Sequence, residues 1–250
     1  IQKDLVLKKQ IVPIESLESS PLFERQTNSL RQRVVETEGI IAEHKRRSPS
    51  KPNINFGLRL ADVAQGYASA GVAGMSVLTN NQYFGGSIED LLLARQACEL
   101  PLLRKEFMVD EYQVLEAKAN GADAILLIAA CLERPDIQIL STLAQQLGME
   151  VLLEVHNADE LKKSIMPSID MIGVNNRDLT SFRVSLKTSK SLVDQIPTEF
   201  VKLSESGLSS PESVLELRDC GYQGFLMGEY FMKTDDPGVS AQHFIKSLSK

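Results

Sequence analysis

The chain has 250 residues, 43% apolar and 24% charged, a size and balance that suit one α/β barrel or two smaller globular domains. Its formal net charge of −6 argues against nucleic acid or an anionic membrane as a main partner, since both reward a basic surface. No apolar run approaches the roughly 20 residues of a membrane span. Cys98, Cys131 and Cys220 lack metal-ligand spacing, so free thiols and no metal are expected.

Residues 1–35 are polar and amphipathic. Leu5, Val6, Ile11, Ile14 and Leu17 are expected on one helix face, and Leu22, Phe23, Leu30, Val34 and Val35 on a second. Ser20-Pro21 is read as the break between them, because Pro suits a helix start and not its interior. Such an extension either packs on the side of a domain or serves as a lid. The N-terminus has no charged-then-apolar export pattern, so a cytoplasmic location is expected.

From Gly39 onward, eight short apolar runs alternate with eight helix-length segments. The runs are Ile40–Glu43, Gly74–Leu78, Leu102–Phe107, Ala124–Ile128, Val151–Val155, Met171–Val174, Phe200–Leu203 and Gly224–Met227. Gly71, Gly121, Gly148 and Gly221 stand where the intervening helices should end in a left-handed residue. Strictly alternating strands and helices mean parallel pairing with right-handed crossovers. The fold class is therefore α/β: a (βα)8 TIM barrel with an N-terminal helical extension, one domain over 1–250 with the extension at 1–35 and the barrel at 36–250.

A barrel of this kind gathers its chemistry at the strand C-termini. The sequence places Glu43-His44-Lys45, Arg104-Lys105-Glu106-Phe107, Glu154-Val155-His156, Asn175-Asn176-Arg177, Ser204-Glu205-Ser206-Gly207 and Gly228-Glu229 there. Charges inside apolar strands are costly to bury unless they pair, and one barrel mouth would let them pair. Ser206-Gly207 after the seventh strand and Gly228 after the eighth suit a phosphate, with Glu229-Tyr230-Phe231-Met232 as a short helix and Lys45 as a neighbouring cation. Glu229 should turn its carboxylate away and offer only its N–H. Lys105 and Glu154 form a candidate acid–base pair; among other cations Lys105 is expected to have a lowered pKa, and desolvation would raise that of Glu154. Asn175 suits a hydroxyl or carboxylate. Arg177 suits either a substrate carboxylate or an acid in its own loop. Phe84 and Phe107 offer an apolar wall for a ring. By alternation His44 should face the helices. The residues alone reach a metal-free, phosphate-binding barrel doing acid–base chemistry.

These stretches resemble the indole-3-glycerol phosphate synthase family. The resemblance rests on Ile40–Lys51 (IIAEHKRRSPSK), Ser76–Thr79 with Tyr83–Ser87, Leu103–Phe107 (LRKEF), Gly148–His156 (GMEVLLEVH), Ile172–Leu179 (IGVNNRDL), Ser204–Gly207 (SESG) and Met227–Glu229 (MGE). It runs in order from about residue 36 to the C-terminus, and the N-terminal helices are similar to the family's extension, which serves partly in substrate binding.

The resemblance implies ring closure of 1-(2-carboxyphenylamino)-1-deoxy-D-ribulose 5-phosphate, with loss of CO2 and water and without a cofactor, in tryptophan biosynthesis. It also implies roles. Lys105 would be the general acid and Glu154 its acid/base partner. Lys45 would lie near phosphate and carboxylate, with Glu43 orienting the lysines. Ser48, Asn175, Arg177, Glu205 and Ser206 would be polar contacts, with Asn175 and Ser206 counted among the catalytic group. Gly207, Gly228 and Glu229 would cradle phosphate, and Phe84, Phe107, Leu126 and Leu179 would line the ring pocket.

His44, Pro52 and Glu106 depart from the family pattern, which usually has an apolar or aromatic residue, Gly and Asp there; Pro52 is expected to stiffen the first loop. A monomer acting on a small phosphorylated molecule is expected, with association with neighbouring tryptophan-pathway enzymes left open. Two other readings remain at this stage: a sugar-phosphate isomerase, which leaves Phe84 and Phe107 unexplained, and a silent barrel that only binds ligand, against which Lys105 and Glu154 speak.

Overall fold

The computed structural model describes residues 2–49 and 51–249, with side chains from Leu5 onward; Ser50, within the first-strand signature, lies outside them. Three helices lead in: α1 (Gln2–Ile11), α2 (Ile14–Glu18) and α3 (Leu30–Glu36). The barrel follows as β1 (Ile40–His44), α4 (Leu60–Ala70), β2 (Gly74–Leu78), α5 (Asn81–Phe84), α6 (Ile88–Ala97) and β3 (Leu102–Lys105). Next come α7 (Glu111–Ala119), β4 (Ala124–Ile128), α8 (Arg134–Gln146), β5 (Glu150–Val155), α9 (Ala158–Ser164) and β6 (Met171–Asn175). The chain ends with α10 (Lys187–Leu192), a 3-10 turn at Val193–Gln195, β7 (Val201–Glu205), α11 (Pro211–Asp219), β8 (Gly224–Met227), α12 (Glu229–Met232) and α13 (Pro237–Leu248). The strands pair in sequence order, all parallel, and β8 closes on β1. This is the expected (βα)8 TIM barrel with helices at its N-terminus.

Local chemistry fixes the helix starts. Asp110, Asn157, Ser210 and Asp236 each accept a backbone N–H from the first turn of the helix they precede, satisfying donors that would otherwise have no partner. The four glycines expected to end helices all have positive φ. Alternation then splits each strand. Ile40, Ala42, Leu102, Val151, Leu153, Ile172 and Val174 pack outward under the helices, while Ile41, Leu103, Leu126, Leu152, Leu203 and Leu226 fill the barrel interior. Each of these Val, Leu and Ile side chains contributes about 1.5–3 kcal/mol on burial, and Ala42 less.

The N-terminal region departs from expectation. The helix break falls at Pro13, which caps α2 with φ −68° and ψ 161°, and not at Pro21. Residues 19–29 form turns and extended chain, so Leu22 and Phe23 lie on no helix. Leu5 and Leu17 are buried against Tyr112 and Ala119 of α7, but Val6, Ile11, Ile14 and Val35 are exposed. Two short helices with a Pro between them have no single continuous face, and the five apolar residues assigned to one face divide accordingly. The tyrosine hydroxyl of Tyr112 donates to the Val12 carbonyl at 2.8 Å, and Lys8 and Lys9 pair with Glu116 (2.5 Å) and Asp110 (2.7 Å). Below, Leu30 and Val34 of α3 close the N-terminal end of the barrel.

Five strands also differ in their limits: β1 runs on to His44, β5 begins at Glu150 and β6 runs on to Asn175, each by one residue. β3 stops at Lys105, not Phe107, because the Glu106 carboxylate accepts from the Phe107 N–H (2.9 Å), Thr79 Oγ1 (2.9 Å) and Asn80 Nδ2 (3.0 Å), turning the chain. β7 begins at Val201 and extends to Glu205.

Candidate active site

Every residue given a catalytic, substrate-binding or phosphate-binding role above lines one cavity of about 550 Å³ at the C-terminal end of the strands, whereas His44, Arg104, His156, Asn176 and Ser204 do not. The cavity draws Glu43 and Lys45 from β1 and its loop, Ser48 from that loop, Phe84 from α5, Lys105 and Phe107 from β3 and beyond, and Leu126 from β4. Glu154, Asn175, Arg177, Leu179, Glu205, Ser206, Gly207, Gly228 and Glu229 follow from the later strands and loops. Residues 1–35 contribute nothing to its wall among the described residues.

The floor is an ion cluster. Lys105 Nζ is hydrogen-bonded to Glu205 Oε2 and lies 3.5 Å from Glu154 Oε2. Lys45 Nζ lies 2.8 Å from Glu43 Oε1, and Ser76 Oγ donates to Glu43 Oε2 at 3.3 Å. Asn175 Nδ2 donates to Glu154 Oε1 at 3.0 Å, while Asn175 Oδ1 accepts the Arg177 N–H at 3.0 Å. The pairing follows from register: Asn175 sits beside Glu205, and Glu154 beside Gly173. At Gly173 a Cβ would lie 2.3 Å from Glu205 Oε1, so the bare backbone there makes room for that carboxylate.

Burial and charge set the protonation states. Burial alone would lower the pKa of Lys105, but Glu205, Glu154 and Glu43 outweigh it and hold the ammonium well above the usual lysine range. The expected lowering is therefore corrected: the charges that act most on Lys105 are the carboxylates of Glu205, Glu154 and Glu43 and not other cations. Burial also raises Glu205, to about 7, against the pull of Lys105. In Glu43, burial acts upward but Lys45 and Lys105 outweigh it, so its pKa is lowered.

One wall is aromatic. Phe84 and Phe107 stack with ring centroids 6.4 Å apart and planes 26° apart, and Tyr83 meets Phe107 edge-on at 5.9 Å. Leu126, Ile128, Leu179, Phe182 and Val184 supply further apolar lining of the cavity. The opposite side is built from backbone. Ser206 and Gly207 both have positive φ, 67° and 79°; the left-handed region costs a residue with a Cβ about 1–2 kcal/mol, so Ser206 carries strain at the mouth. Asn176 Nδ2 ties this turn down, donating to Ser204 Oγ, the Glu205 carbonyl and the Ser206 carbonyl at 2.9–3.1 Å. Gly228 caps α12, and a Cβ there would meet Glu43 Oε1 at 2.9 Å. The Glu229 carboxylate turns to Lys51 at 2.5 Å.

Three charged residues at strand ends need separate placement. Arg104 is turned away from the mouth and held 2.7 Å from Glu116 under α7. His44 is buried toward Arg46 and Asp90 and lines no part of the cavity; burial and then Arg46 depress its pKa to about 4. Arg177 donates to the Phe182 carbonyl at 3.3 Å within its own loop. The first loop is fastened by Arg46 to Asp90 through two bonds of 2.6 and 2.8 Å, and by Lys51 to Glu229. Tyr83, Ile128, Cys131, Phe182, Val184 and Lys233 in the wall and the supporting Gly173 were given no site role from sequence, and Asn176 was placed at a strand end without one. Ile128 ends β4 as an ordinary apolar strand residue and Gly173 lies inside β6, while the others in the wall lie outside the strands.

Among the described residues no group of three or more His, Cys, Asp or Glu side chains is arranged to hold a metal ion, and no helix is long and apolar enough to cross a membrane. The chain is similar to known proteins. A protein of Bacteroides thetaiotaomicron named indole-3-glycerol phosphate synthase is 45% identical over 243 residues, covering 97% of this chain and 93% of its own. One of Polaromonas naphthalenivorans with the same name is 47% identical over 201 residues, covering 80% and 76%. Among solved structures, 3-hexulose-6-phosphate synthase from Salmonella typhimurium superposes with a TM-score of 0.67 at 11% identity, covering 84% of this chain and 98% of that one; at that identity it speaks to the fold alone. The profile described as indole-3-glycerol phosphate synthase matches residues 1–246. The chain belongs to the indole-3-glycerol phosphate synthase family.

Proposed function

We propose that this cavity closes the pyrrole ring of 1-(2-carboxyphenylamino)-1-deoxy-D-ribulose 5-phosphate, giving indole-3-glycerol phosphate, CO2 and water. The observation that carries the reading is the setting of Lys105. It stands protonated between Glu205 and Glu154, with a stacked aromatic wall on one side and a glycine-lined backbone cradle on the other.

The substrate's two ends fit those two sides. Its phenyl ring lies against Phe84, Phe107, Leu126 and Leu179. Its phosphate takes backbone N–H groups near Gly207, Gly228 and Glu229, with Lys45 supplying charge. Ser48, Arg177 and Glu205 hold the polar atoms between. As the ring carbon bearing the carboxylate attacks the ketone, Lys105 gives its proton to the carbonyl oxygen. The carboxylate then leaves as CO2, and its bonding pair restores the aromatic ring. The new hydroxyl takes a second proton and departs as water, while the neighbouring carbon loses one; Glu154 is the acid/base of that step, with Asn175 and Ser206 fixing the hydroxyl. Glu43 holds Lys45 in place. A well-placed acid or base contributes about 10²–10⁴ in rate. No step calls on a cofactor.

The same reading makes the chain one unit, residues 1–35 being an extension to the barrel at 36–250, acting as a cytoplasmic monomer; sedimentation of the purified chain tests the monomer. Association with neighbouring tryptophan-pathway enzymes is tested by mixing them with it. The test of function is incubation with the carboxyphenylamino-deoxyribulose phosphate, followed by indole fluorescence. Absence of product from folded protein refutes it.

A further inference from the structure

His156 stands at the end of β5, two residues beyond Glu154, and the reaction as written gives it no part. Its surroundings are built. Glu160 Oε2, one turn into α9, lies 3.1 Å from His156 Nδ1 and also accepts the His156 backbone N–H at 2.8 Å. Glu160 is itself pinned: Asn157 Nδ2 donates to its other oxygen at 2.7 Å, and Asn157 Oδ1 accepts its N–H at 2.9 Å. On the far side of the ring, Nε2 is buried without a hydrogen-bond partner among the described residues, and Glu154 Oε1 is 3.4 Å from it.

The chemistry of imidazole gives this order a meaning. A fixed carboxylate at Nδ1 keeps that nitrogen protonated, which leaves Nε2 as the atom that gains or loses a proton. When Nε2 carries one, it faces the Glu154 carboxylate as a cation. When Glu154 carries one, Nε2 offers a lone pair to it. Either way the two groups hold one proton between Nε2 and Oε1, and the pair of imidazole and carboxyl group is neutral overall.

We infer that His156, held by Glu160, is a positioning residue for Glu154: it fixes the carboxylate's rotamer together with Asn175 and sets the pH at which Glu154 exchanges its proton. Other groups near the ring agree. Burial lowers the pKa of His156, but Glu160, Glu154 and Glu205 outweigh it, so the imidazole is held above its ordinary range. Glu160 itself is lowered by its bonds to His156, which outweigh its burial. Cys131, beyond β4, feels both Glu154 and Glu160; burial first and then these carboxylates keep it a neutral thiol. Lys105 faces the opposite oxygen of Glu154.

The inference rests on the acid/base role proposed for Glu154, and the test separates the two. Three variants, His156→Asn, Glu160→Gln and Glu154→Gln, are assayed for kcat and KM from about pH 5 to 9. Loss of the cation raises the proton affinity of Glu154, so the acid limb of kcat moves up by about one pH unit in His156→Asn. Its kcat at neutral pH falls about tenfold while KM stays within about twofold, the scale of other groups that orient a reacting side chain. Glu160→Gln moves the same limb in the same direction by less. An unmoved acid limb in His156→Asn, or a change confined to KM, overturns the inference. If that variant does not fold, as judged by circular dichroism, Glu160→Gln decides by the same criterion. A nearly inactive Glu154→Gln beside wild-type profiles for the other two refutes His156 alone. An active Glu154→Gln removes the role of Glu154 itself.

Discussion

Replacing Gly173 by Ala separates activity from stability. A Cβ at position 173 would lie 2.3 Å from Glu205 Oε1, 3.3 Å from its Cδ and 3.2 Å from Leu152 Cδ1. An ordinary contact begins near 3.4 Å, so the carboxylate must retreat by about 1 Å, whereas Leu152 has to yield only a few tenths of an ångström. The retreating atom is the end of a flexible side chain, and Glu205 already tends toward its neutral form, so the move costs the fold little. We expect about 1 kcal/mol, or about 2–4 °C in Tm for a chain of this size. The retreat nevertheless draws Glu205 away from Lys105, whose placement the proposed mechanism needs. A misplacement of about 1 Å costs about 10² in rate. The assay is kcat by indole fluorescence beside a thermal melt. Wild-type kcat in Gly173→Ala would show that the position of Glu205 is immaterial. A loss of Tm matching the loss of kcat would show general disruption instead.

Lys105→Ala should lose about 10²–10⁴ in turnover, with circular dichroism unchanged, and near wild-type activity would remove it as the general acid. Glu205 has a folded pKa raised to about 7 from an ordinary 4.5, so its protonated form favours the native state. Its contribution is fully present below about pH 4.5 and is lost as pH rises through about 7. The stability of Glu205→Gln relative to wild type, from urea melts, should therefore rise across that window, and a flat difference would contradict the assignment. Gly207→Ala forces a Cβ onto a left-handed backbone with φ 79° and to 2.4 Å from Val184 Cγ1, so KM for the phosphorylated substrate should rise about tenfold or more. Inorganic phosphate should inhibit that variant more weakly than wild type; equal inhibition would place the anion elsewhere.

Much of the barrel was legible because its signals are periodic. Eight apolar runs of strand length alternating with helix-length segments, four of them ended by a glycine, leave little freedom in topology. The strand-end residues Glu43, Lys105, Glu154 and Glu205 were legible because a charge next to an apolar run is costly unless it faces a mouth. The same rule placed Arg104 with them, yet Arg104 faces outward to Glu116. Alternation would have separated it from Lys105. The pKa of Lys105 was misjudged because the local sequence shows Arg104 beside it, whereas its actual neighbours come from β1, β5 and β7. Contributions from loops, such as Tyr83, Phe182 and Val184, and from supporting residues such as Gly173 and Asn176, depend on three-dimensional closure. The N-terminal helices differ for a simpler reason: the break is at Pro13 and not at Pro21.

The floor of the barrel has a consequence for how the chain is made. Val34 of α3 packs within 3.0 Å of where a Cβ would stand at Gly224, and Leu30 packs likewise at Gly74. The apolar underside of α3 is thus synthesised early, yet one of its resting places is formed about 190 positions later. At about 5–20 residues per second a ribosome needs roughly 10–40 s to cover that distance. During this interval Leu30 and Val34 lack the β8 part of their interior cluster, and the nascent barrel stays open. Completion of β8 then seats the floor and closes the strand ring together, so the last quarter of the chain governs when the first quarter is protected.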